Sequence, residues 1–299
     1  MDTRKFEGIE NYIYIKDQTL VEKNVEHVEM INNTLVFHAD FSGTVQVVHE
    51  LTSNKVEIGY DFEDNCHLNL IEVHSTKEPC TLNRTFNFRD YANVAIFTLN
   101  DCDAALVIKD HGSLSEGAEI ECAYVELSIT DVEADLTYDL NAEGAKIYVR
   151  NAVLSSMQKK KHLAVTFNHN AKNTYGQMDN YGVVKDESTL YFDGIGRIRR
   201  GNSGSATHQT SKIMVFDPNC KAEANPYLYI DEYDVAASHA AAVGKMDEEH
   251  LFYLQSRGLS RNQSMKLITY GYLMPCVDVI DNEAVKEAFA NILEERMGD

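Results

Sequence analysis

The sequence is short of basic residues: 27 Lys and Arg stand against 47 Asp and Glu, a net charge of −20 over 299 residues. Such a surface repels phosphate backbones and anionic lipids, which argues against binding to nucleic acid or to a membrane surface. The chain also lacks any apolar run near the ~18 residues that span a bilayer. Its opening stretch, MDTRKFEGIENYIYIKDQ, carries charges where an export signal has an apolar core. These absences predict a cytoplasmic protein whose six cysteines stay reduced. No two of them form C-x-x-C, which excludes a zinc ribbon or a ferredoxin-type cluster loop on spacing. There is no Walker A sequence, so any ATP must be bound by another subunit. The run Gly194–Gly201 has two glycines near the dinucleotide fingerprint spacing but neither the third nor a following helix.

What is present is mostly strand. Leu35, Phe37, Ala39 and Phe41 alternate with polar neighbours, and Val56, Ile58, Tyr60 and Phe62 do the same. The period of two returns at Ala123, Val125, Leu127 and Ile129, and at Ala145, Ile147 and Val149. Turn signals such as Glu116-Gly117, Glu143-Gly144 and Asp193-Gly194 cut the first three quarters into short pieces. Many short strands with few helices leave a sandwich, a barrel or a β-helix. No hexapeptide-type repeat distinguishes among them.

The pattern changes after about Asp234. Asp247-Glu248-Glu249 precede Leu251–Leu254, placing acids at a helix N-terminus, and Arg257-Gly258 supplies a stop. Ser260-x-x-Gln263 has capping-box form and predicts a second helix ended by Pro275. Asp281 is the predicted cap of a third, with Val285, Ala288, Phe289, Ile292 and Leu293 on one face. A β domain followed by a small helical appendage is the expected organisation, divided at 1–240 and 241–299.

Few residues offer chemistry. Ser238 and His239 are adjacent, so an extended backbone points them apart. Asp101-Cys102-Asp103 can set two carboxylates on one strand face, as a calcium-dependent β-helix lyase would need, although such patterns are usually solvated. Lys159-Lys160-Lys161 reads as a solvated turn. Cys220 and His239, 19 residues apart, can come within one rung of each other in a stacked β-architecture. Thiolate and imidazole together suit iron or zinc. By themselves, a lone cysteine and a histidine beside alanines are more often core residues.

The stretch from Pro226 onward resembles a known family. Pro226-Tyr-Leu-Tyr-Ile230, Asp234-Val235, Ser238-His239-Ala240, Val243-Gly244 and Asp247 are similar to the SufD signature. Phe252-Tyr-Leu-Gln-Ser-Arg-Gly-Leu259 is similar to the motif that follows it in the SufB/SufD family. The resemblance implies a right-handed parallel β-helix with a C-terminal helical domain, and a non-enzymatic scaffold in SUF-type iron–sulfur cluster assembly. It also implies partners: a SufC-like ABC ATPase, a sulfur-delivering cysteine desulfurase or transfer protein, and a second scaffold chain. The ATPase would dock at Asp247–Gly258, through Glu248, Leu251, Phe252, Leu254 and Arg257.

Two site residues follow from the resemblance alone. Cys220, six residues before Pro226, stands where SufB carries its sulfur-accepting cysteine, and His239 stands at the SufD histidine implicated in cluster formation. Both are expected as ligands or sulfur acceptors for a transient iron–sulfur cluster. One chain would then hold what SufB and SufD divide, and a homodimer could complete the site without a paralogue. The sequence departs from the pattern at Ala237, where SufD has cysteine, and at Ala240, where SufB has glutamate.

Overall fold

The computed structural model describes Phe6 and residues 8–39 and 41–298, so residues 1–5 and Glu7 of the charged opening stretch lie outside the described residues. Its core is a β-helix, which closes the three-way choice left by the strand pattern. Among the described residues two sheets face each other, one of ten strands and one of nine. Odd-numbered strands from β5 (Ser42–Leu51) to β19 (Ala236–Lys245) stack in parallel in the first sheet. Even-numbered strands from β4 (Thr34–Phe37) to β18 (Lys221–Ile230) stack in the second. Each turn of the chain contributes one strand to each sheet. Register partners lie 26 residues apart at Arg84 and Asp110, and 31 apart at Asn180 and Ser211. The turn grows along the molecule, which is why no fixed repeat is visible in the sequence.

Two separate apolar layers hold the fold. Inward-facing residues form columns such as Val45–Leu70–Ile96–Cys122–Val149–Met178. Aromatic rings stack along the same axis, Phe37 on Phe62 at 4.9 Å and Phe62 on Phe88 at 5.1 Å. Ala123, Val125 and Leu127 belong to the other layer, on the outside of the first sheet. They are covered there by α2 (Arg261–Val277) and α3 (Glu283–Met297), through Leu273, Cys276 and Phe289. Strands buried on both faces lose simple alternation, and a period of two in this chain therefore reports two different cores.

The helices start largely where the sequence places them. Asp247 caps α1 (Glu248–Ser256) through Glu249 N, and Ser260 and Gln263 form the capping box of α2. Two details differ. Pro275 lies inside α2, because a proline this near the end forfeits a single hydrogen bond. The cap of α3 is Asn282, whose side chain accepts from Val285 N, in place of Asp281. None of the described helices is long and apolar enough to cross a membrane.

Polar expectations also change. Lys161 does not sit in a solvated turn: it occupies an inward column of β14 (Lys160–His169) and is fully buried. Its Nζ donates to Glu126 Oε1 at 3.1 Å and to the carbonyls of Ser128 and Leu154 at 2.7 Å. Burial pushes the amine down, and Glu126 counters it. Asp101 and Asp103 lie in the loop after β9 (Asn93–Asn100), not on a strand face. Both face Arg296 of α3, whose Nε donates to Asp101 Oδ1 at 2.8 Å. The pair fastens the last helix to the β-helix, leaving no calcium cradle.

Candidate functional site

The two ends of the β-helix are built differently. At the N-terminal end β1 (Tyr12–Lys16) pairs antiparallel with β2 (Thr19–Asn24), and β3 (Val28–Ile31) pairs antiparallel with β4. The hairpins close that end over buried Ile13, Ile15, Val28 and Leu35. At the other end β18 and β19 are the outermost strands of their sheets, and all ten residues of β19 are exposed. Ala236 N donates to Ser205 and Met246 N to Val215, so even-numbered residues of β19 bond back to β17 (Ala206–Val215). Odd-numbered residues direct their peptide groups at the free edge. In β18 the parity is reversed: Lys221 N and Asp231 N bond inward, so Pro226 falls at a free-edge position. Proline withholds a donor there and blunts that edge. The edge of β19 has no such guard.

Both ligand candidates lie on this last turn. Cys220 immediately precedes β18 and is half-buried, whereas the other five cysteines are buried. It lines an open groove of about 220 Å³ with Asp217, Pro218, Val243 and Lys245. Its Sγ donates to Asp186 O at 3.3 Å. Partial burial lifts the thiol above its ordinary range, the Asp217 and Asp186 carboxylates add to the rise, and backbone hydrogen bonds offset part of it. The thiol is thus held protonated, and a metal or sulfur donor must displace a proton to use it.

His239 is the register partner of Gln209, which places its side chain on the inward column at the mouth of the β-helix. Its neighbour Ser238 points the other way and bonds to His208 at 2.7 Å. His239 and Cys220 are not brought together within one chain. The groove of Cys220 meets β19 at Val243–Lys245, and His239 stands four residues earlier, about 13 Å at ~3.3 Å per residue. No cluster of three or more His, Cys, Asp or Glu fit to hold a metal occurs among the described residues.

The predicted docking residues divide by exposure. Leu251 is fully buried and anchors α1, Leu254 is half-buried, and Phe252 is 74% exposed beside Tyr253 at 57%. Arg257 lies over the Tyr253 ring at 5.3 Å, and Glu248 pairs with Arg261 at 3.0 Å. An exposed Phe-Tyr pair on a capped helix is an apolar surface that water disfavours.

Comparison with known proteins decides the relationship. Residues 41–272 match the family described as SUF system FeS cluster assembly, SufBD core domain. The chain belongs to the SufBD family. It is 31% identical over 180 residues to the iron–sulfur cluster assembly protein SufD of Bacillus subtilis, covering 60% of this chain and 41% of that protein. It is 22% identical over 148 residues to SufD of Escherichia coli, covering 50% of this chain and 35% of the relative. A SufBD family protein of Mycobacterium tuberculosis is 26% identical over 148 residues, half of this chain and 18% of that one. The chain thus spans less than half the length of these relatives. Sequence reasoning missed two members of the last turns, Thr207 and Gln209. An alternation of Thr207, Gln209 and Ser211 through an otherwise apolar inward series was the available signal.

Proposed function

We propose that this SufBD family chain is a scaffold component of SUF-type iron–sulfur cluster assembly that works at the open end of its β-helix. The observation that carries the reading is that the half-buried Cys220 and the exposed His239 lie on the one turn left uncapped. Since one chain keeps them apart, the reading requires a partner scaffold, either a second copy or a SufB/SufD paralogue. A two-fold arrangement, edge to edge through β19, can set Cys220 of one copy toward His239 of the other. Thiolate and imidazole would then hold iron and sulfur as cargo, with the sulfur delivered by a desulfurase or transfer protein. A SufC-like ABC ATPase would dock on α1 through Phe252, Leu254, Arg257 and Glu248, with Leu251 holding the helix in place. In this division of labour the β-helix, which runs through β19 to Lys245 and so past the boundary expected at residue 240, carries the cluster, and the helices that follow carry the ATPase.

Anaerobic reconstitution with iron and sulfide tests it. The parent chain should develop visible absorption, and Cys220→Ser or His239→Ala should lose most of the retained iron. If both variants retain iron like the parent, the ligand assignment fails. The protonated thiol and the lack of a three-ligand cluster among the described residues favour a second reading, in which the chain only anchors the ATPase beside a separate SufB-type scaffold. Co-purification with the ATPase, without iron under any condition, would select that reading.

A further inference from the structure

One inward column of the first sheet changes character at the open end. The column Val45–Leu70–Ile96–Cys122–Val149–Met178 is apolar or weakly polar for six turns and then continues as Gln209 and His239. Thr207 and Ser211 flank Gln209 on the same inward face. Room for these side chains comes from the opposite sheet, where Gly194 and Gly196 stand in β16 (Thr189–Ile198). A Cβ on Gly196 would lie 2.8 Å from Thr207 Oγ1, and one on Gly194 would lie 3.2 Å from Gln209 Oε1. Two bare glycines thus accommodate a polar floor beneath the mouth.

That floor has unused hydrogen-bonding capacity. Gln209 is 3% exposed and Thr207 fully buried, yet Gln209 Oε1 and Thr207 Oγ1 have no hydrogen-bond partner among the described residues. Gln209 Nε2 donates to Tyr227 O at 3.1 Å, which fixes the amide so that its oxygen is the free acceptor. A buried acceptor left unpaired keeps its full desolvation penalty, so a donor within reach should take it. The next inward side chain in the column is His239.

The molecule pairs imidazole with carboxamide in this way elsewhere. His74 and Asn100 are register partners on the inward face of the same sheet, and His74 Nδ1 lies 2.8 Å from Asn100 Oδ1. Asn151 bonds to Asn180 at 2.6 Å and Asn180 to Ser211 at 2.9 Å, again between successive turns. Register partners on successive turns of this sheet thus bond directly at three places.

We propose that Gln209 is a positioning residue for His239: its Oε1 accepts the N–H of one ring nitrogen and leaves the other, unprotonated, facing out of the open end. An imidazole fixed in one tautomer presents a lone pair in a set direction, the form in which it binds ferrous iron. The inference deepens the cluster reading and rests on His239 being its ligand, but the contact itself requires no iron.

The test is the imidazole nitrogen spectrum of the full, metal-free chain, labelled with 15N, at about pH 9, well above the ordinary imidazole range. His239 is picked out from the eleven histidines by the resonance that His239→Asn removes. The parent should show His239 as a single tautomer, one protonated and one bare nitrogen. Gln209→Leu should give the averaged signals of a ring exchanging between tautomers, and Gln209→Glu, which keeps an acceptor, should restore the single form. An averaged ring in the parent overturns the proposal, as does a Gln209→Leu ring identical to the parent's. If Gln209→Leu does not fold, the parent spectrum and Gln209→Glu decide alone. Iron retention in His239→Ala tests the cluster reading separately, so the two can fail independently.

Discussion

The N-terminal end of this β-helix is finished and the C-terminal end is not. Hairpins of antiparallel strands turn the first rungs back on themselves and bury Ile13, Ile15 and Leu35 to 0% exposure. At the far end β19 leaves ten residues exposed along an unguarded edge. A bare parallel edge is an aggregation hazard that soluble proteins ordinarily cover or charge. Here one strand of the last turn is blunted by Pro226 and the other is left open beside the candidate site. The contrast teaches that the two ends differ in backbone as well as in exposure: hairpins close one, while the other leaves the peptide groups of one strand free.

The comparison breaks most easily in stability. Phe37 is fully buried at the capped end and stacks on Phe62 at 4.9 Å, so Phe37→Ala should cost about 3–5 kcal/mol. Val243, 46% exposed on β19, should cost less than ~0.5 kcal/mol when cut to Ala in the isolated chain. Urea denaturation of the two variants measures the difference. Equal losses would mean that the open end is packed in solution and that the contrast is false.

A second, slightly smaller effect concerns what both ends enclose. Burial holds the His49 and His169 rings at about 4, with the neighbouring His74 adding to the shift at His49. Both rings are neutral in the fold, whereas the unfolded chain protonates its imidazoles at ~6.5. Below that pH the unfolded state binds the extra protons, so stability falls as pH drops from ~6.5 and levels near 4. The loss is on the order of 3 kcal/mol per ring. Glu72 is also shifted down, but for the opposite reason: burial raises its carboxyl, and Arg84, His74 and Tyr60 outweigh that and hold it at about 2. Its contribution is present above the unfolded carboxylate range and is lost only as pH falls toward 2. Urea midpoints that stay flat between pH ~6.5 and ~4.5 would show that water reaches the interior rings.

The third effect addresses the edge itself. Odd residues of β19 point their peptide groups outward, so Ala241→Pro removes a free-edge donor without breaking the ladder to β17. If the chain self-associates through this edge, Ala241→Pro should weaken the association at least about tenfold, or ~1.4 kcal/mol. Ala240→Pro, on the inward parity, should destabilise the fold as well. Light scattering with size exclusion separates the two outcomes. Dimers that survive Ala241→Pro would move the interface elsewhere.

The parts of this comparison were unequally legible in sequence. Strand content, the caps at Asp247 and Ser260, and the family motifs from Pro226 to Leu259 were readable because each rests on local chemistry. The β-helix was readable only through the family resemblance and not from the strand pattern, since its turns range from 25 to 32 residues and its inward residues vary, so no period accumulates. Residues whose meaning depends on distant partners were misread. Lys161 looked solvated beside two other lysines until Glu126 and two carbonyls from other turns closed around it. Asp101 and Asp103 looked like a ligand pair until Arg296, 195 residues from Asp101, took them up. Cys220 and His239 were nameable from motif, but their separation along β19 belongs to the fold alone.

The smallest effect concerns Cys220 and bears most directly on the open end. Burial pushes Cys80 up to about 11 and Cys66, Cys102 and Cys122 to about 12, and Cys276 is raised further. Native labelling with a maleimide should therefore mark one thiol, Cys220, well before the others. Its rate is held back by Asp217 and Asp186, whose carboxylates oppose the thiolate. Asp217→Asn keeps the shape and an oxygen to accept from Asp186 N, while removing one of those charges. The rate should rise roughly two- to fivefold, with no change at the buried five. An unchanged rate would mean that access to the groove, and not the thiolate fraction, limits the reaction. If Cys66 or Cys80 labels alongside Cys220, the hairpin end opens as readily as the bare one, and the difference between the two ends is static and not energetic.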